Sequence, residues 1–405
     1  MKTLFTFSFL LVVSCLHAQF VNQAKYIWSH ISSEYDEIEQ PNNGKFQTGC
    51  LIGDLNKDGS DEFIIIENTE SPSIVMYVHT NGKKWEKYAI DKRKIPAGEA
   101  ADLCDIDGDG NLDIAVGSEE SKYIWWWENP YPDIEPEKSW KRNYINKNND
   151  LSCREMVFGD FDGDGSVELA FWNKNDNSLY VAQKPENVFK TDNWSFAKIY
   201  TYNTDCQMLQ RSNGTELKGN GVNYHSGLYK ADINLDGVDD IVAGGMYFNF
   251  KDGQYISNDI DLSYISAKTV AGQLIEGGRP EVVMATMNGE GPLVMYSFGN
   301  GVWEPVILQK LTRKVHSLQL IDFDKDGDLD IYVAEMKTAE IKDPKIFILL
   351  NNNTNNFEKI DVATSYGSHN SGVGDFDGDG DYDIIAKPYA WDTPRIDLWL
   401  NQGKK

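Results

Sequence analysis

The chain has 405 residues, of which 41% are hydrophobic and 25% are charged, so it is neither a disordered chain nor a bundle of membrane helices. Its 63 acidic residues outnumber its 38 Lys and Arg residues, and the resulting formal net charge of −25 argues against nucleic acid or an anionic membrane as a partner. The length fits two or three ordinary domains or one large repeat architecture.

The first residues are typical of an exported protein. Lys2 precedes an apolar run over residues 4–13, which is too short to span a bilayer and is followed by a small residue, Ala18. We therefore expect residues 1–18 to be a signal peptide and residues 19–405 to be a secreted or periplasmic monomer without a transmembrane segment. An alternative is an outer-membrane lipoprotein that is lipidated at Cys15.

Four cysteines remain after this leader: Cys50, Cys104, Cys153 and Cys206. An exported protein meets an oxidising compartment, where an even number of cysteines can pair. Four cysteines allow three disulfide patterns, between which the sequence does not choose. Buried free thiols are the alternative.

Six segments of the chain, called the acidic loops below, share one pattern. Each has Asp or Asn at positions 1, 3 and 5, Gly at position 6 and an acid at position 9, and an apolar run typical of a strand follows. The residues at positions 1, 3, 5 and 9 are Asp54, Asn56, Asp58 and Glu62; Asp105, Asp107, Asp109 and Asp113; Asp160, Asp162, Asp164 and Glu168; Asp232, Asn234, Asp236 and Asp240; Asp322, Asp324, Asp326 and Asp330; and Asp375, Asp377, Asp379 and Asp383.

The acidic loops recur about every fifty residues, which is the range of propeller blades. A seventh copy at residues 273–281 keeps the flanking strands but has lost the ligand pattern. Each unit has four short strand-like runs, except the last, which ends one strand early. We predict an all-β, seven-bladed β-propeller of four-stranded blades in a single domain, with residues 20–47 completing the last blade and closing the ring.

The oxygen-rich pattern of the acidic loops suits calcium. Oxygens at positions 1, 3, 5 and 9 and a carbonyl at position 7 can surround a hard cation that takes six to eight oxygen ligands. The acid at position 9 rather than 12, without flanking helix patterns, distinguishes the loops from the helix-loop-helix calcium hand. We expect up to six structural calcium ions, and solvated Asx turns are the alternative.

The acidic loops and four-strand units resemble the FG-GAP or VCBS calcium-propeller family over essentially the whole mature chain. The Trp-Trp-Trp-Glu-Asn-Pro run at residues 125–130, residues 316–336 and the Ala-Lys-Pro-Tyr ending at residues 386–389 resemble two groups of secreted sugar-processing propellers. These are the rhamnose–glucuronate polysaccharide lyases and the propeller part of aldos-2-ulose dehydratase. The resemblance implies calcium and a glycan partner, whereas the tryptophan run by itself favours packing between blades.

A ring of residues is predicted at the channel mouth opposite the acidic loops. The first strand of every propeller blade lines the central channel, so the residue six before each loop lies near that mouth. The positions are Thr48, Glu99, Arg154, Ser226 beside His225, Ala267 beside Lys268, His316 and His369. The second strands return to the same face, where they bring Glu335, Lys387 and Tyr389. Several convergent titratable groups in a concave site indicate a binding site.

The residue types of this ring favour β-elimination from a uronate. The chain has no nucleophile elbow, phosphate-binding loop or dinucleotide fingerprint, which disfavours acyl transfer, phosphoryl transfer and redox chemistry. A cation neutralises the uronate carboxylate, a neutral His takes the C5 proton, and Tyr or a second His protonates the leaving oxygen.

We therefore expect a secreted lyase that cleaves an acidic, uronate-containing polysaccharide or oligosaccharide. The candidate catalytic residues are His316, His369, Tyr389 and His225, and the candidate substrate-binding residues are Arg154, Lys387, Glu99 and Glu335. Glu99 with Arg154 could instead form a salt bridge between blades. Two further functions stay open at this point: a non-catalytic carbohydrate-binding or adhesion propeller, and a dehydratase of a small keto-sugar.

Overall fold

The computed structural model describes residues 21–22, 26–80, 84–202, 226–264, 266–353 and 356–404. Regular structure in these residues consists of strands and two short 3₁₀ turns, Ser33–Tyr35 and Leu262–Tyr264. The strands form seven sheets whose neighbouring strands are antiparallel. The predicted seven-bladed, all-β propeller with four-stranded blades is confirmed.

Two strands precede the first complete blade, and blades 1 to 3 then follow as groups of four consecutive strands. The leading strands are β1 (Val21–Asn22) and β2 (Tyr26–Ser32). Blade 1 contains β3 (Gln47–Gly53), β4 (Glu62–Glu67), β5 (Ile74–Thr80) and β6 (Lys84–Asp91). Blade 2 contains β7 (Ala101–Cys104), β8 (Asp113–Gly117), β9 (Ile124–Glu128) and β10 (Lys141–Asn146). Blade 3 contains β11 (Cys153–Gly159), β12 (Glu168–Asn173), β13 (Ser178–Gln183) and β14 (Ser195–Thr201).

Blades 4 to 6 repeat this arrangement, and blade 7 has three strands of its own. Blade 4 contains β15 (Leu228–Ala231), β16 (Asp240–Ala243), β17 (Met246–Lys251) and β18 (Gln254–Asp259). Blade 5 contains β19 (Ala267–Gly272), β20 (Glu281–Thr286), β21 (Glu290–Gly299) and β22 (Val302–Arg313). Blade 6 contains β23 (Val315–Ile321), β24 (Asp330–Glu335), β25 (Lys345–Asn351) and β26 (Phe357–Thr364). Blade 7 begins with β27 (Gly372–Gly374), β28 (Asp383–Ala386) and β29 (Asp397–Lys404).

The core lies between the blades. Every residue of β4, β12 and β24 is buried, because successive side chains of a strand point to opposite faces and each blade packs against both neighbours. Trp125 and Trp127 of β9 pack against Ile64 of blade 1, whereas Trp126 packs with Phe158 of blade 3. The tryptophan run thus belongs to the packing between blades.

The N-terminal segment closes the ring, as predicted. β2 pairs with β29, with His30 opposite Trp399, so that the last sheet has the order β1-β2-β29-β28-β27. On its inner face, Trp28 is fully buried and lies with Tyr26 against Phe323 of blade 6. Sequence-distant strands therefore share one sheet, and β2 supplies the outer strand that blade 7 lacks in its own sequence.

Replacement of Trp28 by Ala is expected to destabilise the whole propeller by about 3–5 kcal/mol, because a fully buried indole is removed from the closing strand. Thermal unfolding measured by circular dichroism tests this. The matched control is Ser29→Ala, whose side chain lies on the opposite, partly exposed face of β2 and should change stability by less than about 0.5 kcal/mol. An unchanged melting temperature in the Trp28 variant would contradict the closing role of β2.

The first strands of the blades surround the channel. β3, β7, β11, β15, β19, β23 and β27 each contact the next one around the ring, and β27 contacts β3. The acidic loops connect the first and second strand of their blades. The starts of the first strands and the ends of the second strands consequently meet at the opposite face.

Three of the four cysteines that follow the expected leader lie in the described residues, and all three are free thiols: Cys50, Cys104 and Cys153. Burial raises the pKa of Cys50 and of Cys104 to about 12, so both thiols stay protonated and unreactive. Cys206 lies outside the described residues, as do the expected leader at residues 1–18 and the alternative lipidation site Cys15.

Candidate functional site

A cavity of about 420 Å³ opens at the channel mouth opposite the acidic loops. Five of the seven predicted ring positions line it, and each belongs to the start of a first strand or to the residues just before it: Thr48, Glu99, Arg154, His316 and His369. Tyr389, which follows β28, also lines the cavity. We call this space the channel-mouth cavity. Its volume falls in the range of small-molecule binding sites.

The remaining ring positions do not line the channel-mouth cavity. Ser226 and Ala267 are buried, and the Ser226 hydroxyl contacts Ser266 and the sulfur of Met287. Lys268 lies 3.5 Å from the carboxylate of Glu155. His225, a further candidate catalytic residue, lies outside the described residues.

Two other candidate residues, Glu335 and Lys387, do not line the cavity either. Glu335 is buried, accepts a hydrogen bond from the backbone amide of Arg313 and forms a 3.2 Å ion pair with its guanidinium. Lys387 is fully buried and donates to the carbonyl of Gln47 at 2.7 Å, and burial lowers its pKa to about 8. Both side chains are engaged in contacts between strand ends and do not line the cavity.

The sequence reasoning missed several charged residues of the cavity. Glu119 and Lys174 line it and pair with each other at 2.8 Å, and Glu119 also pairs with Arg154 at 3.2 Å. Arg154 of blade 3 thus pairs with Glu119 of the neighbouring blade 2. Glu120 and Lys314 complete a wall of three acids and three cations. Glu119 and Lys174 follow the ends of the second strands β8 and β12 by two residues and one residue, and this spacing is the signal that could have identified them.

Three aromatic rings stack inside the cavity. The ring centroids of His316 and His369 are 4.7 Å apart with an interplanar angle of 28°, and those of His369 and Tyr389 are 4.5 Å apart with an angle of 27°. The Nε2 of His316 donates to the carbonyl of Met287 at 3.1 Å, and the Nε2 of His369 lies 3.5 Å from Oε1 of Glu99. The Nδ1 atoms of both imidazoles are buried and have no hydrogen-bond partner among the described residues.

Burial keeps these three rings uncharged. It lowers the pKa of His316 to about 3, helped by the neighbouring His369, and lowers the pKa of His369 well below its usual value, helped by Lys387 and Lys268. Burial and the Glu99 carboxylate raise the pKa of the Tyr389 phenol to about 12. At neutral pH the cavity thus holds two neutral imidazoles and a protonated phenol.

The acidic loops form a second group of candidate sites at the other face. In four of them, carboxylate oxygens from positions 1, 3 and 9 lie within 4.8 Å of one another, which is close enough for one metal ion: Asp105, Asp107 and Asp113; Asp160, Asp162 and Glu168; Asp322, Asp324 and Asp330; Asp375, Asp377 and Asp383. In the first and fourth loops, the amides of Asn56 and Asn234 instead donate to neighbouring carboxylates.

The closing acid of each loop also has a structural role. One oxygen of Asp113, for example, accepts the amide of Ile106, and the other accepts the amide of Asn129. Glu281 of the degenerate loop in blade 5 still accepts the amides of Leu274 and Ile275. Position 9 therefore shapes the turn even where the other ligands are missing.

Several loop oxygens lack any partner. Oε1 of Glu168, Oδ1 of Asp324 and Oδ1 of Asp375 are buried without a hydrogen-bond partner among the described residues. A buried carboxylate oxygen without a donor is costly, and a hard cation would satisfy it. The donor set of these loops therefore fits a metal ion that prefers oxygen ligands.

Part of the chain that contains acidic loops matches a known family of repeats. Residues 54–116 and 105–171 match the family model of the FG-GAP-like repeat. The chain contains FG-GAP-like repeats. This confirms the coarser part of the predicted resemblance, whereas the likeness to sugar lyases and to aldos-2-ulose dehydratase is not confirmed. The sequence has no match among the curated proteins.

Solved structures with the same fold have very different sequences. The chain is similar to BBS1N in its complex with ARL6DN, with 11% identity, a TM-score of 0.52, and coverage of 94% of this chain and 97% of that chain. It is also similar to the β-propeller domain of Cps50 (Swd1) from Myceliophteria thermophila, with 8% identity, a TM-score of 0.51, and coverage of 89% and 98%. At these identities the likeness shows the fold alone. In the described part of the chain, no helix has the length and hydropathy needed to span a membrane.

Proposed function

We propose that this protein is a secreted carbon–oxygen lyase that cleaves a uronate-containing polysaccharide or oligosaccharide by β-elimination in the channel-mouth cavity. The observation that supports this most is the stack of His369 on Tyr389, two uncharged groups able to carry protons, in one cavity with Arg154. Elimination needs a proton acceptor, a proton donor and a cation close together. The cavity offers one of each.

The cations of the cavity wall would hold the substrate carboxylate. Arg154 and Lys174 both contact Glu119, so a uronate carboxylate could take over part of that pairing at the same place. Lys314 lines the same wall. A neutralised carboxylate makes the C5 proton of the sugar more acidic, and the planar guanidinium of Arg154 suits two parallel hydrogen bonds to it.

In the proposed reaction, the neutral His369 is the proton acceptor and the protonated Tyr389 is the proton donor. The unpartnered Nδ1 of His369 accepts the C5 proton, while the electrons of the C5–H bond form the C4–C5 double bond and the C4–O bond breaks. The phenol of Tyr389, whose pKa is about 12, donates its proton to the leaving oxygen. Glu99, 3.5 Å from Nε2, stabilises the imidazolium that forms on His369. His316, whose Nε2 donates to the carbonyl of Met287, is the second neutral imidazole of the cavity.

The acidic loops would hold structural calcium ions, up to six of them. Oxygen donors only, a tight turn at the position-6 glycine and orphan carboxylate oxygens suit Ca²⁺ better than softer metals. Each ion would also relieve the repulsion among three or four carboxylates in one loop. In this role calcium stabilises the fold and takes no part in the reaction.

Incubation of the mature protein with calcium and a panel of uronate-containing polysaccharides tests the reaction. We expect the ultraviolet absorbance of an unsaturated uronate to rise with at least one member of the panel. Saturable glycan binding without this product would instead favour a carbohydrate-binding or adhesion propeller. No absorbance and no polysaccharide binding, with water loss from a small keto-sugar, would favour the dehydratase.

Replacing Arg154 by Gln is expected to raise the KM for the uronate substrate about ten- to hundred-fold, because a hydrogen-bonded charge pair contributes about 1.5–3 kcal/mol. Steady-state kinetics with the substrate from the panel measures this. The control Lys138→Gln removes the same charge from an exposed loop outside the cavity and should leave KM unchanged. An unaltered KM in the Arg154 variant would exclude this residue from carboxylate binding.

A further inference from the structure

The three residues Glu99, His316 and His369 form a cluster distinct in chemistry from the acidic loops. One ligand atom of each residue lies within 4.8 Å of those of the other two. The 3.5 Å between Oε1 of Glu99 and Nε2 of His369 is close to the separation of about 3.4 Å that two ligands have on one tetrahedral ion with bonds of about 2.0–2.1 Å. The spacing thus matches two ligands of one ion.

The hydrogen bond made by His316 also favours a metal site. Its Nε2 donates to the carbonyl of Met287, so its proton is fixed on that nitrogen and Nδ1 presents a lone pair. Metal-binding histidines usually donate their other ring nitrogen to such an acceptor, which sets the tautomer and the ring orientation. His316 is only 6% exposed, and its Nδ1 has no partner among the described residues.

The ligand set discriminates between metals. We infer that Glu99, His316 and His369 form a binding site for a divalent transition-metal ion of the zinc class, with an open coordination position toward the channel-mouth cavity. Two imidazoles and one carboxylate suit zinc, whereas calcium prefers a shell of oxygens such as the acidic loops provide. All three residues line the cavity, so an ion can enter and a substrate oxygen can reach the open position.

This site does not depend on the proposed elimination, because metal binding is measured directly. However, His369 cannot bind a metal ion and act as the base of the elimination at the same time. An ion on Nε2 fixes the ring proton on Nδ1, which then can no longer accept the C5 proton. The zinc-loaded protein is therefore expected to be inactive as a lyase and to regain activity when a transition-metal chelator removes the ion in the presence of calcium.

The test is a titration of the full mature chain in excess Ca²⁺, with Zn²⁺ followed by calorimetry and with Co²⁺ followed by visible absorption. We expect one tight Zn²⁺ per chain and the intense visible bands of a tetrahedral Co²⁺ site. Glu99→Gln should weaken Zn²⁺ binding at least about tenfold, since even changes beyond the direct ligands cost about 10–100-fold. Glu119→Gln removes the same charge from the same cavity and should leave the affinity unchanged.

The opposite results would overturn the inference. These are the lack of a tight Zn²⁺ site in the wild-type chain, or equal losses of affinity in the Glu99 and Glu119 variants, which would indicate a general charge effect. His369→Gln provides the second variant and should abolish the Co²⁺ bands. Circular dichroism of each variant shows that the propeller is folded, and a failed lyase assay alone leaves the metal result untouched.

Discussion

Replacing Tyr389 by Phe is expected to lower the kcat of β-elimination about 10²- to 10⁴-fold while substrate binding is retained. Phe keeps the ring that stacks on His369 at 4.5 Å and removes only the hydroxyl that would protonate the leaving oxygen. Steady-state kinetics and a separate binding measurement distinguish the two effects. The control Tyr35→Phe removes a hydroxyl from an exposed ring and should leave both quantities unchanged.

The pH profile of the same reaction has a defined direction. The pKa of His369 is lowered well below 6.5, so the imidazole stays in its accepting form as the solution becomes acidic. The midpoint of the acidic limb in the pH profile of kcat/KM should therefore lie below pH 6.5, which is the usual pKa of histidine. A midpoint above pH 6.5 would contradict the assignment of His369 as the base. Full activity in the Tyr389→Phe variant would contradict the assignment of Tyr389 as the proton donor.

Removing calcium is expected to lower the melting temperature of the protein by about 10 °C or more. Each ion that binds only the folded protein raises its free energy of unfolding by about 2–3 kcal/mol when the site is well saturated. Differential scanning calorimetry with and without a calcium chelator measures the change. Asp383→Asn should reduce the number of bound Ca²⁺ ions by one. The matched control Glu281→Gln alters the closing position of the degenerate loop and should leave that number unchanged.

The calcium effect should also depend on pH. In the ion-free protein, burial and neighbouring carboxylates raise the pKa of Asp383 and Glu62 to about 8 and that of Asp330 to about 7. Because these folded-state values exceed the unfolded ones of about 4, their contribution to stability is present below about pH 4 and is lost as the pH rises through 7–8. Protons compete with Ca²⁺ at the same oxygens.

The difference in melting temperature between calcium-loaded and calcium-free protein should therefore be small at pH 5 and large at pH 8. The comparison needs only calorimetry of the same sample across pH. A difference that is the same at both values would show that the closing acids do not bind the ion. An unchanged melting temperature on chelation at pH 8 would refute the structural role of calcium altogether.

Much of the fold could be predicted because it is encoded locally and repeatedly. Each acidic loop marks the turn between the first and second strand of a blade, and Glu281 of the degenerate loop still makes the same backbone contacts. The early end of blade 7 also predicted that β2 must pair with β29. These inferences depend on counting strands and turns, which the order of residues along the chain reveals.

The candidate site was predicted in part. The ring argument placed Glu99, Arg154, His316 and His369 together because residues at equal distances before the acidic loops share one face of a propeller. It could not tell which of the neighbouring side chains enter the cavity. Lys387 is directed into the packing of strand ends, two residues before Tyr389, which lines the cavity.

The sequence by itself determined the number of blades, the position of the acidic loops and the histidine-bearing face, because each follows from a periodic local pattern. Only the tertiary structure decided that Arg154 pairs with Glu119, that two imidazoles and a phenol stack, and that Glu99 lies 3.5 Å from His369. Apart from the stack of Tyr389 on His369 within blade 7, these contacts join residues of different blades. Their geometry depends on the angle and distance at which whole blades pack, which no stretch of sequence contains.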